Sequence, residues 1–119
     1  MRVLEFSPEE NSSYISFVWR DELDYNQNAK DFEKSIGKYK VLEKRVNQWP
    51  GTMLLEDSAT LKIYKLCDEI IKVLYCVDYV TEFLSPNYPE DLAIYDENNN
   101  ILYASCSHEG LEWYGSDGF

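Results

Sequence analysis

The chain has no lysine or arginine after Lys72. The 47 residues that follow carry nine acids: Asp78, Glu82, Glu90, Asp91, Asp96, Glu97, Glu109, Glu112 and Asp117. Sequence neighbours cannot neutralise such a run, so it must face water, a metal or a basic partner. Histidine is nearly absent, His108 being the single copy. The three cysteines, Cys67, Cys76 and Cys106, have no disulfide-framework spacing and read as reduced thiols, partly in the core. No apolar run is long enough to span a bilayer. The first residues, Met1 to Phe6, lack a signal-peptide core and lead into Glu9-Glu10, so a cytoplasmic location is expected. Glycine-rich phosphate loops and the usual nucleotide motifs are missing. Neither Asp21-Glu22-Leu23-Asp24 nor Glu90-Asp91 has the alternating oxygen ligands and central glycine of a calcium loop.

What is present is a chain able to fold. At 119 residues, 45% hydrophobic and with 18 aromatic side chains, it forms a single domain with its own core, residues 1–119. That composition argues against disorder despite the charge. The formal charge of −11 is unevenly spread. Six bases (Lys30, Lys34, Lys38, Lys40, Lys44, Arg45) stand against three acids between Asn28 and Trp49, a local +3 that leaves −14 for the remainder. Such a field repels nucleic acid and anionic membrane and speeds encounter with a cationic protein. The plain alternative is an acidic surface kept for solubility. Read as a nucleic-acid helix, the basic stretch is interrupted by Asp31, Glu33 and Glu43, which fits a solvated helix face better.

Periodicity predicts an α+β fold: an antiparallel sheet made of an N-terminal and a C-terminal hairpin, with two central helices packed on one face. Val3–Phe6 and Tyr14–Trp19 read as strands around the turn-forming segment from Ser7 to Ser13. Asn28 reads as the cap of a first helix. Its face is Phe32, Ile36, Tyr39, Leu42, Val46 and Trp49, with Gly37 a weak point and Pro50-Gly51 its end. A second helix is expected from Asp57 or Ser58, with Ile63, Cys67, Ile70, Leu74, Val77, Thr81 and Leu84 as its stripe, stopped before Pro86. The last hairpin pairs Leu92–Tyr95 with Ile101–Ala104 across Asp96-Glu97-Asn98-Asn99-Asn100. Residues 115–119 are expected to fray.

The candidate sites are few. Cys106 and His108 could act as nucleophile and base with Glu109 orienting the imidazole. Adjacent side chains of an extended segment point to opposite sides, however, which separates His108 from Glu109. A metal site on Cys106 and His108 would need a further ligand, so no metal and no cofactor is expected. Asp96 and Glu97 form a turn pair with nothing placing them across a cleft. Aromatics stand beside acids at Trp19, Tyr88, Tyr95, Trp113 and Tyr114, a composition suited to protein contacts, although tyrosines on an outer sheet face would look the same.

A small, acidic, aromatic-rich domain of this kind resembles the immunity proteins of bacterial polymorphic toxins, including those of contact-dependent growth inhibition systems. The segment from Asp91-Leu92-Ala93-Ile94-Tyr95-Asp96 through Ile101 to Gly110 is similar in style to the terminal hairpins of such proteins. The resemblance implies a non-enzymatic inhibitor that occludes the active site or an exosite of a basic toxin domain, often a nuclease. The contacts expected from the residues are Glu90, Asp91, Asp96, Glu97, Glu109 and Glu112 for charge, and Tyr95, His108, Trp113 and Tyr114 as anchors. A DNA mimic or defence inhibitor of phage type, aimed at a host DNA-binding protein, is the alternative.

Overall fold

A computed structural model describes residues 8–50, 52–56 and 58–115. Its centre is β1 (Tyr14–Arg20), whose side chains alternate between two cores. Tyr14 and Val18 enter one, Ile15 and Phe17 the other, as a strand's two-residue period requires. Next along the chain come α1 (Gln27–Ile36), β2 (Lys40–Val46), β3 (Gln48–Trp49), β4 (Thr52–Met53), β5 (Ala59–Lys65) and α2 (Asp68–Leu74). They are followed by β6 (Glu90–Tyr95), β7 (Ile101–Cys106) and β8 (Leu111–Tyr114). Six strands form one sheet in the order β2-β5-β1-β6-β7-β8, every pairing antiparallel, while β3 and β4 form a separate small ribbon. The α+β class is as the sequence indicates.

One sheet face carries both helices. Phe32 and Ile36 of α1 and Ile70 of α2 pack there with Ile15, Phe17, Tyr64 and Leu92. The contact is strongly aromatic, with ring centroids at 5.3 Å for Phe17–Phe32, 5.4 Å for Phe17–Phe83 and 5.3 Å for Phe83–Tyr88. Edge-to-face packing of this kind adds about 0.5–1.5 kcal/mol per pair beyond the area buried. The opposite face buries Leu61, Ile63 and Tyr95 beneath Trp49 of the β3–β4 ribbon.

Both predicted helices are too long. α1 is capped by Asn26, not Asn28: the Asn26 side chain accepts from the Ala29 N–H at 3.2 Å. It ends at Ile36, and after a 3₁₀ turn at Gly37–Tyr39 the chain enters β2. Leu42 and Val46 are four apart, a step that satisfies both a 3.6-residue and a 2-residue period, so the pattern alone does not separate them. The predicted start of the second helix is β5, in which Ala59, Leu61 and Ile63 point to one side. Only Asp68–Leu74 is helical, with Asp68 and Glu69 at the favourable positive end of its dipole. The expected strand Val3–Phe6 and the tail beyond Gly115 lie outside the described residues. The C-terminal hairpin is present as expected, and β8 extends it by a third strand.

Candidate functional site

The site-bearing region is built from β6, β7 and the 3₁₀ turn Ser107–Glu109. Against β1, Ser16 faces Ala93 but Val18 faces Glu90, so β6 holds one extra residue. The bulge places Asp91 in the left-handed region at φ 52°, which aspartate tolerates better than most residues. Asp91 is 1% exposed yet well supplied with donors. The Trp49 Nε1–H donates to Oδ2 at 2.8 Å and the Ser107 N–H to Oδ1 at 2.8 Å, while the Asp91 N–H donates to Ser107 Oγ at 3.3 Å. This carboxylate ties the β3–β4 ribbon to the end of β7, and its bonds answer the desolvation that burial imposes.

Glu90, beside it, is 0% exposed. The Ser85 N–H donates to Oε1 at 3.1 Å, and His108 Nε2 lies 2.6 Å from Oε2, an oxygen that no hydrogen bond reaches among the described residues. Burial pushes the Glu90 carboxyl above its ordinary range and the charge of Asp91 adds to this; the Ser85 bond, His108 and Arg20 pull the other way. Burial likewise raises the Cys106 thiol, reinforced by Asp91, against a weak Thr52 Oγ1–H contact to Sγ at 3.9 Å. A nucleophilic cysteine needs the opposite, a stabilised thiolate. The imidazole is directed at Glu90, so the Cys106–His108–Glu109 constellation does not assemble as a triad. No cluster of three histidine, cysteine or carboxylate side chains able to hold a metal occurs among the described residues.

The remaining expected contacts divide clearly. Glu90, Asp91 and Tyr95 were expected at a surface and are instead interior; the Tyr95 hydroxyl shares a 2.9 Å hydrogen bond with Ser16. The acids at 90 and 91 are drawn inward because the bulge turns a charged pair toward donors the sequence does not place near them. Asp96 is partly exposed and folds the hairpin turn, accepting from the Asn98 and Asn100 N–H groups at 2.8 and 2.9 Å. Its limited burial acts to raise the carboxyl, but these bonds and the Asn100 side chain prevail and lower it. Glu97, partly exposed, accepts from the Asn11 N–H. Trp113 packs on the core of the Trp49 face. His108, Glu109, Glu112 and Tyr114 are exposed.

Charge is segregated. Arg20, Lys40, Arg45, Lys62 and Lys65 are engaged by Glu22, Glu43, Asp21, Glu33 and Glu9, all acids of the N-terminal half. Asp78, Glu109 and Glu112, beyond the last cation of the sequence, are exposed.

Sequence reasoning missed a groove on the helix-bearing face, with a cavity of about 340 Å³. α2 contributes Ile71 and Leu74 to it, the segment after α2 contributes Tyr75, Asp78 and Tyr79, and the sheet contributes Ile94 and Tyr103. The lining is mostly apolar, with Tyr75 82% and Tyr79 73% exposed. The Asp78 and Tyr79 N–H groups both donate to the Glu82 carboxylate, at 2.7 and 2.8 Å, which fixes the tyrosine-bearing turn. The available signal was the density of tyrosines between Tyr75 and Tyr88, hidden by assigning Tyr75 and Tyr79 to the second helix, which was expected to run up to Pro86. Among the described residues no helix is long and apolar enough to cross a membrane.

No protein-family model matches the chain, and no curated protein or solved structure does so either.

Proposed function

We propose that this chain is a cytoplasmic, non-enzymatic inhibitor that binds a basic protein, acting as an immunity protein for a toxin domain such as a nuclease. The observation that supports it best is the segregation of charge: Arg20, Lys40, Arg45, Lys62 and Lys65 are engaged by acids of the N-terminal half, while exposed acids and exposed tyrosines share the C-terminal half, which carries no lysine or arginine after Lys72. A basic active-site cleft that holds phosphate is complementary to such a face, and the complex would block substrate without chemistry by this chain. Tyrosines supply large contact area at small entropic cost, which suits them as anchors beside the carboxylates.

The test is co-expression with the neighbouring reading frame. Toxicity of that frame alone, rescued by this chain, with a stoichiometric complex on purification, is the expected result. In that complex, Glu109→Lys with Glu112→Lys slows association by about tenfold at low salt and flattens its salt dependence. A complex with a host DNA-binding protein, and no toxicity to rescue, points to the DNA-mimic reading. Rescue without a complex sinks direct inhibition.

A further inference from the structure

We infer that the groove between α2 and the β6–β7 hairpin is a docking site for one apolar side chain of the partner, or a pair of them, flanked by lysine or arginine. The inference rests on the reading above, that the partner is basic, and adds where it is held and by what kind of side chain. Three features carry it. The cavity of about 340 Å³ is near the lower limit for ligand sites, a size for one or two large side chains and too small for an extended ligand. Its lining is mostly apolar and includes the exposed Ile71, Tyr75 and Tyr79, surface that a docked partner would take out of water.

The charge at the groove is of one sign. Asp78 lines it, and Glu112 Oε1 accepts from the hydroxyl of the lining residue Tyr103 at 2.6 Å. Tyr103 in turn stacks edge-on with the exposed Tyr114, centroids 5.3 Å apart. Among the described residues no lysine or arginine lines the groove. An apolar anchor is therefore accepted here when its neighbours are cationic and refused when they are acidic, since unpaired like charges would meet at the rim. The Glu82 carboxylate holds the turn at Asp78 and Tyr79 before any partner arrives, which lowers the ordering cost of binding.

The probe is a synthetic amphipathic helix with leucine and phenylalanine along one stripe and lysine on both flanks, titrated into the full ¹⁵N-labelled chain. Amide shifts should concentrate at Ile71, Tyr75, Tyr79, Ile94 and Tyr103. Binding should fall by about tenfold in Ile71→Asp and in Tyr79→Ala, both exposed positions whose variants are checked for an unchanged fold by their remaining resonances. The same helix with glutamate flanks should not bind. Equal binding of the two helices overturns the assignment of a basic occupant. Shifts spread over the acidic surface and unaffected by either variant overturn the groove while leaving the proposed function standing. Absence of binding by the lysine helix overturns the inference, as does concentration-dependent self-association that Ile71→Asp abolishes, which would make a second copy the occupant. Toxin rescue that survives Ile71→Asp and Tyr79→Ala unchanged, with a complex of unaltered affinity, likewise removes the groove and not the inhibitor.

Discussion

The indole of Trp49 and the carboxylate of Asp91 meet at 2.8 Å across 42 positions of sequence, joining the small β3–β4 ribbon to a bulge in the main sheet. Trp49 also receives the Arg20 guanidinium over its ring at 5.6 Å, so one side chain is held by an acid at its edge and a cation at its face. The ribbon has two residue pairs of its own, and this bond fastens it to the main sheet.

Trp49→Phe keeps most of the packing and removes the donor to Asp91. A buried carboxylate that loses one of its hydrogen bonds costs about 1–3 kcal/mol. Urea unfolding should show that loss as a lower midpoint with an unchanged slope. A change below about 0.5 kcal/mol, within the range of a neutral surface substitution, would show that Trp49 and Asp91 are not coupled.

Glu90 fixes the sign of a pH dependence. Its folded-state carboxyl lies above the unfolded value, first because burial disfavours the charge. Below the unfolded value both states are protonated and nothing is lost. As pH rises past it, the unfolded chain ionises first, so Glu90 withdraws stability until the folded carboxyl has also ionised. Glu90→Gln retains an acceptor for the Ser85 N–H and should flatten this decline between mildly acidic and neutral pH. Thermal melts of both proteins across that range measure it; parallel curves would show that Glu90 carries no such linkage.

Phe83 lies outside any strand or helix, yet it is 1% exposed and stacks with Phe17, Phe32 and Tyr88. Phe83→Ala should cost about 3–5 kcal/mol, the range of a core aromatic truncation. Hydrogen exchange should also speed up selectively between Val77 and Tyr88 if this ring pins the segment. Uniform exchange with little loss of stability would show that the segment is held by other means.

The last hairpin was legible because its information is local. Asp96 accepts from two amides within four residues, and Leu92–Tyr95 and Ile101–Ala104 need only each other to pair. The helices were legible in part, since Phe32 and Ile36 do share a face, but their limits were not. From Leu42 to Val46 and around Ile63 the apolar spacing fits helix and strand alike, and the sheet decides because β1 and β2 offer β5 a hydrogen-bonding edge on each side. Among the candidate contacts, His108, Glu109, Glu112 and Tyr114 could be read as exposed from their place in a polar, turn-rich end of the chain. Glu90, Asp91 and Tyr95 could not be read as interior, because the hydrogen-bond partners that receive them (Trp49, Ser85, Ser107, Ser16) are brought in by strand register and a bulge.

By itself the sequence determined the charge asymmetry, the α+β class and the turn at Asp96–Asn100, each a property of composition or of residues a few positions apart. The tertiary structure alone decided which acids face water and which are buried, where helix gives way to strand, and that Ile71, Tyr75 and Tyr79 share a groove with Tyr103. These depend on long-range pairing, and pairing is chosen by the whole sheet at once, since each strand's face is set by the register of its neighbours.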